Sequence, residues 1–312
     1  MNSYCHVKKD SLKSNYANLL ANTSSSIDLI RIKNERLTSP LLMAFSASES
    51  NELMPLKARL NDIINNNIIS GKIKIASVYL KKLDDMRSIA LNASEVYDPG
   101  SMMKIPVMIA CLKESMNDPS FINSKLIFTG HNTSLPVEEG SKPVLSVGKS
   151  YTIRELIEFM IIDSDNDAMG LLFYKLGEDK LDKVFNDFRI KIPDRSAPAF
   201  NMNPIFFSRF MNILYNATYL DIKNSEWALL TLSKAKYDKG LTRNLPKNVE
   251  VAHKYGVDYN ATDKMLSESA IIYISNNPYL LVVMTKGKNY KKQSDVISEI
   301  SDNAFEFLNK QQ

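Results

Sequence analysis

What is scarce in this chain narrows it first. Its 312 residues include only two cysteines and three histidines. Cys5 and Cys111 cannot build a disulfide framework. Cys111 lies in an apolar run and is expected to pack as a small apolar residue, while Cys5 belongs to a polar leader. His6, His131 and His253 are scattered without ligand spacing, so no metal and no other cofactor is expected. Neither sign of charge dominates: 39 Lys and Arg oppose 35 Asp and Glu, a net charge of +4. No basic block is interleaved with aromatics, which argues against a nucleic-acid partner. No apolar run is long enough to span a membrane, and the N-terminus has no signal-peptide apolar core. There are no internal repeats.

What remains is an ordinary globular composition, 44% hydrophobic and 24% charged, on a chain long enough for one large domain or two. Residues 1–38 are rich in Ser, Asn and Lys and read as a flexible leader. Leu53, Leu56, Leu60, Ile63 and Ile64 recur at helical spacing, and Gly71 closes that helix. Strands are expected over 72–81 and 87–91, joined through the polar turn 82–85. From Ser101 to about Gly240 the pattern is helical, with helices over 152–162, 168–176, 181–188 and 205–215. Strands return from Glu250 to Lys254, then over 270–275 and 279–285 around the hairpin Asn276-Asn-Pro278. A final amphipathic helix carries Val296, Ile297, Ile300, Ala304, Phe307 and Leu308. The expected fold is mixed α and β: an antiparallel sheet flanked by helices, built from 39–97 and 241–312, with an all-helical domain, 98–240, inserted. The active site is expected between the two.

One stretch organises the chain, Asp98-Pro-Gly-Ser-Met-Met-Lys-Ile-Pro-Val-Met-Ile-Ala-Cys-Leu112. Pro99 and Gly100 break the chain just before Ser101. Ile105, Met108, Ile109 and Leu112 then follow at helical spacing, so a buried helix begins at a turn. Ser101 and Lys104 fall one turn apart on the same face. A serine hydroxyl is a poor nucleophile until a neighbouring base takes its proton. A lysine can be that base once desolvation lowers its pKa. Ser-x-x-Lys alone is a weak signal. Ser146-Val-Gly-Lys149 and Ser233-Lys-Ala-Lys236 match it too, but one lies in a glycine-containing loop and the other in a Lys-rich run. Only Ser101 has both the turn and the buried helix.

Two further motifs follow in order. Ser164-Asp-Asn166 comes 63 residues after Ser101 in a loop between two helices, and Lys254-Tyr-Gly256 comes 90 residues after Ser164 on a strand. Singly, each has a plain structural reading, a capping loop for Ser164 and Asn166 and an exposed strand lysine for Lys254. Ser301-Asp-Asn303 also matches the second motif, but in the last helix and after the lysine-glycine motif. Ser-x-x-Lys, Ser-Asp-Asn and lysine-glycine motifs in this order are the signature of class A β-lactamases and penicillin-binding proteins. From about Leu53 to Leu308 the chain resembles that superfamily.

The resemblance implies roles. Ser101 attacks an acyl carbon and Lys104 acts as base or proton relay. Ser164 passes a proton to the departing amine beside the ammonium of Lys254. Asn166 binds the substrate's amide side chain, and the backbone N–H groups of Ser101 and Val257 form the oxyanion hole. Tyr255 and Gly256 complete the substrate-binding set. The implied partner is a small-molecule or peptide acyl donor, a β-lactam or a D-Ala-D-Ala-like peptide, met by a monomer outside the cytoplasm.

Two departures from the family pattern bear on function. Tyr255 stands where Thr or Ser usually offers a hydroxyl to the substrate carboxylate, and its own hydroxyl lies several ångströms farther out. The family's Glu-x-x-Leu-Asn, whose glutamate activates the deacylating water, aligns best with Asp194-Arg-Ser-Ala-Pro-Ala-Phe-Asn201. That puts Ala197 at the glutamate position and keeps Asn201. Glu178-Asp-Lys-Leu-Asp182 is a superficially closer match, but it starts twelve residues after Asn166 and reads as the acidic first turn of a helix. The leading expectation is a serine acyl hydrolase that acylates readily and deacylates slowly. A D,D-peptidase or esterase acting on cell-wall peptides, and a silent binding module keeping the fold, are the alternatives.

Overall fold

The computed structural model describes residues 27–32, 38–46, 48–130, 144–194, 196, 200–258, 263–274 and 277–310. The strands are β1 (Ile27–Arg31), β2 (Leu41–Ser46), β3 (Ile75–Lys82), β4 (Ser88–Leu91), β5 (Lys125–Ile127), β6 (Ser150–Thr152), β7 (Glu250–Asp258), β8 (Lys264–Tyr273) and β9 (Tyr279–Gly287). The helices are α1 (Met54–Ile69), α2 (Lys104–Asn117), α3 (Ile153–Ile162), α4 (Asn166–Leu176), α5 (Glu178–Asp187), α6 (Pro204–Asn216), α7 (Ile222–Leu232) and α8 (Tyr290–Asn309).

Five strands form one antiparallel sheet in the order β4-β3-β9-β8-β7. Alternation along β9 shows how the two faces are used. Tyr279, Leu281 and Val283 pack with Leu56, Leu60 and Ile64 of α1 and Val296, Ile297 and Ile300 of α8. Leu280, Val282 and Met284 face the other way, into a core shared with α2, α3 and α6. A sheet buried on both sides needs apolar residues at both parities, and β9 supplies them. Each such side chain contributes ~1.5–3 kcal/mol of burial. α2 enters this second core with Ile105 through Leu112 all buried. Burial pushes the Cys111 thiol up to about 12, so it packs there as an inert apolar group.

The structure corrects two expectations. Residues 27–31, assigned to the flexible leader, form β1 and pair antiparallel with β2. The polar composition around Thr23 outweighed the short apolar set Ile27, Leu29 and Ile30, of which only Ile30 is buried. Residues 1–26 lie outside the described residues. The segment 98–240, expected to be all helical, contains the antiparallel pair β5 and β6. Three-residue strands leave too little alternation to be read from sequence. At the expected hairpin turn, 275 and 276 lie outside the described residues, while Asn277 N donates to Ile274 O at 3.0 Å.

α3 carries the chain to the Ser164 loop, and its start is fixed by a reciprocal cap. Thr152 Oγ1 accepts from Glu155 N at 3.2 Å, and Glu155 Oε2 accepts from Thr152 N at 2.7 Å. Two otherwise orphaned backbone donors are thereby satisfied. Thr152→Ala is expected to cost about 1 kcal/mol of stability. Urea unfolding should show this as a lower midpoint with an unchanged slope.

Candidate active site

Ser101 sits in a single 3-10 turn, Gly100–Met103, that runs directly into α2. Lys104 opens the helix proper and is fully buried. Asp98 builds the turn: its Oδ1 accepts from Gly100 N at 2.8 Å and its Oδ2 from Phe200 N at 3.2 Å. Burial, and secondarily the charge of Asp258, raises the Asp98 carboxyl above its ordinary range, against the two N–H bonds that lower it. Tyr97 and Met202 exchange backbone hydrogen bonds at 3.0 and 2.9 Å. The segment around Asn201 is therefore fastened to the Ser101 turn at two points. Asp-Pro-Gly before Ser101 carried this signal, since an aspartate opening a turn bonds the N–H two residues on.

Lys104 Nζ lies 3.0 Å from Ser101 Oγ and 3.1 Å from Ser164 Oγ, and donates to Ser164 O at 2.5 Å and Asn166 Oδ1 at 2.7 Å. Four oxygens surround one amine. The carbonyl and the amide oxygen can only accept, so they engage two N–H bonds, and the remaining directions point at the two hydroxyls. Ser164 holds this position in a left-handed conformation, φ 57°. A non-glycine residue adopts it at some cost, and such strain concentrates at functional sites. The turn aims both the carbonyl and the hydroxyl of Ser164 at Lys104. From the opposite side, buried Lys254 Nζ donates to Ser164 Oγ at 2.9 Å.

β7 reaches the Ser101 turn because two glycines allow backbone to touch backbone. A Cβ on Gly256 would run into Pro99 O and lie 2.8 Å from Ser101 N. A Cβ on Gly100 would run into Val257 O and lie 2.8 Å from Val257 N. The backbones of Ser101 and Val257 thus lie together at one spot.

Of the residues picked out in the sequence, Ser101, Lys104, Ser164, Asn166, Lys254, Gly256 and the Val257 backbone converge there. The Tyr255 side chain does not. Strand alternation puts it with Val257 on the α8 side of the sheet, opposite Glu268 in register. Its ring stacks on Tyr237 at 3.9 Å and 16°, with Lys254 Nζ 4.5 Å from its centroid. The sequence reading missed Tyr237 and also the buried pair Glu268–His253, whose Oε1 and Nδ1 are 2.8 Å apart. Glu268 Oε2 also accepts from Leu241 N at 2.8 Å. Only the β7–β8 register reveals that pair.

The competing matches lie elsewhere. Ser146 is exposed, Ser233 Oγ donates to Leu230 O at the end of α7, and Ser301 Oγ is buried in α8 against Leu241 O. Glu178 and Asp179 form the acidic first turn of α5. Ala197 lies outside the described residues.

The model of the beta-lactamase enzyme family matches residues 55–308. No curated protein sequence matches the chain. Among solved structures, the chain resembles PBP-A at 18% identity and TM-score 0.70, over 84% of this chain and 99% of that one. It resembles TLA-1 extended-spectrum β-lactamase at 18% and 0.69, over 80% and 98%. A class A β-lactamase representative from Bacteroides cellulosilyticus gives 16% and 0.70, over 82% and 99%.

The glycine contact yields a direct test. Gly256→Ala must push the Ser101 turn and β7 apart, and a displacement near 1 Å can cost about a hundredfold in rate. We expect acylation of Ser101 to fall by at least that factor while the far-ultraviolet circular dichroism stays native. Undiminished acylation would show that the contact has slack.

Proposed function

The chain belongs to the beta-lactamase enzyme family, within the superfamily of β-lactamases and penicillin-binding serine hydrolases, and from that premise we propose that it is a serine acyl hydrolase using Ser101. The 3.0 Å approach of Lys104 Nζ to Ser101 Oγ, continued through Ser164 Oγ to Lys254, carries this reading. Ser101 Oγ attacks the acyl carbon as its proton passes to Lys104 Nζ. Negative charge gathers on the acyl oxygen beside the Ser101 and Val257 N–H groups. As the C–N bond of the lactam or amide breaks, Ser164 Oγ–H protonates the nitrogen and regains a proton from Lys104. The product is a Ser101 ester.

Support for β-lactams as acyl donors comes from the relatives. PBP-A, as a leucine-to-glutamate mutant, is described in an acyl-enzyme complex with penicillin G, and its structure covers 83% of this chain at 18% identity. Recognition of the substrate carboxylate would rest on Lys254, since the Tyr255 ring is engaged with Tyr237. Deacylation is slow in this proposal, because the sequence alignment puts Ala197 at the position of the water-activating glutamate. A monomer acting outside the cytoplasm fits the same reading.

Intact-mass spectrometry with penicillin G and a simple thioester should show one acyl adduct, mapping to Ser101. An adduct on Ser146 or Ser233, or none with either donor, overturns the proposal. Lys104→Ala should slow acylation roughly a hundred- to ten-thousand-fold while changing initial binding little.

Lys254 separates charge from geometry. Lys254→Arg should keep part of the acylation rate and Lys254→Met should lose most of it, because arginine retains the charge without the compact ammonium. A methionine variant as fast as wild type would exclude Lys254 from the reaction.

Turnover is the last check on this reading. A burst of one product per protein should precede a slow steady rate. Ala197→Glu should raise the steady rate and leave the burst unchanged. Brisk turnover without a burst would assign the base to another carboxylate.

A further inference from the structure

One end of the five-stranded sheet gathers positive charge. The neighbouring strands β3, β9 and β8 bring their ends together there: Lys74 N donates to Lys286 O at 2.7 Å, and Lys264 stands opposite Gly287 in register. Lys72 comes just before β3, while Lys288 and Lys292 lead from β9 into the first turn of α8. Two carboxylates answer these six lysines. Asp263 pairs with Lys74 at 2.6 Å, and Glu95 pairs with Lys286 at 2.5 Å. The remainder, +4, equals the net charge of the whole chain, so all other residues together sum to zero. The hydrogen bond from Lys74 holds the Asp263 carboxyl below its ordinary range, and the charges of Lys74, Lys286 and Lys288 add to this. Lys72, Lys264, Lys288 and Lys292 are exposed and, among the described residues, form no ion pair. Like charges gathered in one place repel one another, and an anionic partner relieves that repulsion.

An apolar contact at the same end selects the partner. α1 runs antiparallel beside α8, with Arg59 meeting Glu306 and Asn67 meeting Glu299. Its C-terminus therefore lies toward the first turn of α8. There Ile68 and Ile69 are 37% and 84% exposed, and Ile69 is three residues from Lys72. A single exposed isoleucine is ordinary. One at the tip of a lysine cluster has the chemistry of a surface that rests on anionic lipid: lysines meet the headgroups, and a short apolar contact enters the boundary beneath them. A soluble polyanion would use the lysines and leave Ile69 in water.

We propose that this end of the molecule docks on an anionic lipid bilayer, with Lys72, Lys264, Lys288 and Lys292 toward the headgroups and Ile69 at the boundary. The contact is peripheral and reversible, since it rests on charge and a small apolar tip. It uses none of the groups around Ser101, and its test needs no acyl donor, so its failure and failure of the proposed function are distinguishable.

Cosedimentation of the full chain with lipid vesicles tests it. We expect binding to vesicles of mixed phosphatidylglycerol and phosphatidylcholine, none to phosphatidylcholine alone, and release as salt screens the attraction. Lys72→Glu with Lys288→Glu should weaken binding about a hundredfold. Both side chains are exposed, so the melting temperature should stay near wild type. The control Lys175→Glu with Lys223→Glu makes the same change in net charge on exposed positions of α4 and α7 and should weaken binding far less. Ile69→Ser should weaken vesicle binding severalfold and leave binding of inorganic polyphosphate unchanged. Should the first double variant melt low, Ile69→Ser and the lipid dependence decide. Polyphosphate bound as tightly as vesicles, with Ile69→Ser affecting neither, would identify a soluble polyanion and overturn the proposal. Equal losses in the two double variants, or no binding to anionic vesicles, would overturn it as well.

Discussion

Two lysine amines buried around one serine hydroxyl set the terms for this fold. Lys104 and Lys254 are both almost wholly removed from solvent, and a buried amine is expensive unless its protons find oxygens. Ser164 meets part of that need for both. Its hydroxyl lies 3.1 Å from one amine and 2.9 Å from the other, and its carbonyl takes a third bond. A single residue can do this only if the backbone turns back on itself, hence the left-handed φ. α3 and α4 meet at that turn, each with its own side-chain cap. The strain at Ser164 is held between two well-anchored helices.

The same site demands a second closeness, between backbones. The proposed oxyanion donors, the Ser101 and Val257 N–H groups, come from two distant segments, and side chains at the contact would hold those segments apart. Gly100 on the turn and Gly256 on the strand remove the obstacle from both sides. Lys254 and Gly256 share one face of β7, so the charge and the close contact come from alternate residues of one strand. Tyr255, between them, is sent to the other face. A large residue is tolerated there because β7 is the edge strand and Tyr237 covers the ring.

Local features were legible in the sequence, and features created by register were not. The turn at Ser101, the α2 helix and the loop at Ser164 all follow from neighbours within a few residues, and so does their order along the chain. α1 and α8 show their buried faces in their own periodicity, and the structure places those faces together under the sheet. By contrast, β1 has one buried residue in five, too few to outweigh the polar chain around it. Glu268 looks in sequence like an exposed strand carboxylate, yet it is completely buried. Its partners, His253 and the Leu241 N–H, lie 15 and 27 residues away. Tyr255 illustrates both limits. Its departure from the usual Thr or Ser was visible, but motif position alone assigned it to the substrate. Alternation from Lys254 already implied the opposite face.

In the proposed reaction, this geometry shifts the recognition of an acyl donor toward charge. Where a short hydroxyl beside the lysine could address a carboxylate, this chain has a ring stacked on another ring. Directly across the strand from Tyr255 stands Glu268, whose carboxylate is satisfied internally and offers nothing to an anionic group. Lys254 is therefore the polar group that connects the two sides of β7. Its amine bonds Ser164 on one face, while the Tyr255 ring lies 4.5 Å away. A cation held between a hydroxyl and an aromatic ring responds to changes on either side. Any shift of Tyr255 on its Tyr237 partner changes the field at Lys254, and with it the environment of the Ser164 hydroxyl that Lys254 bonds.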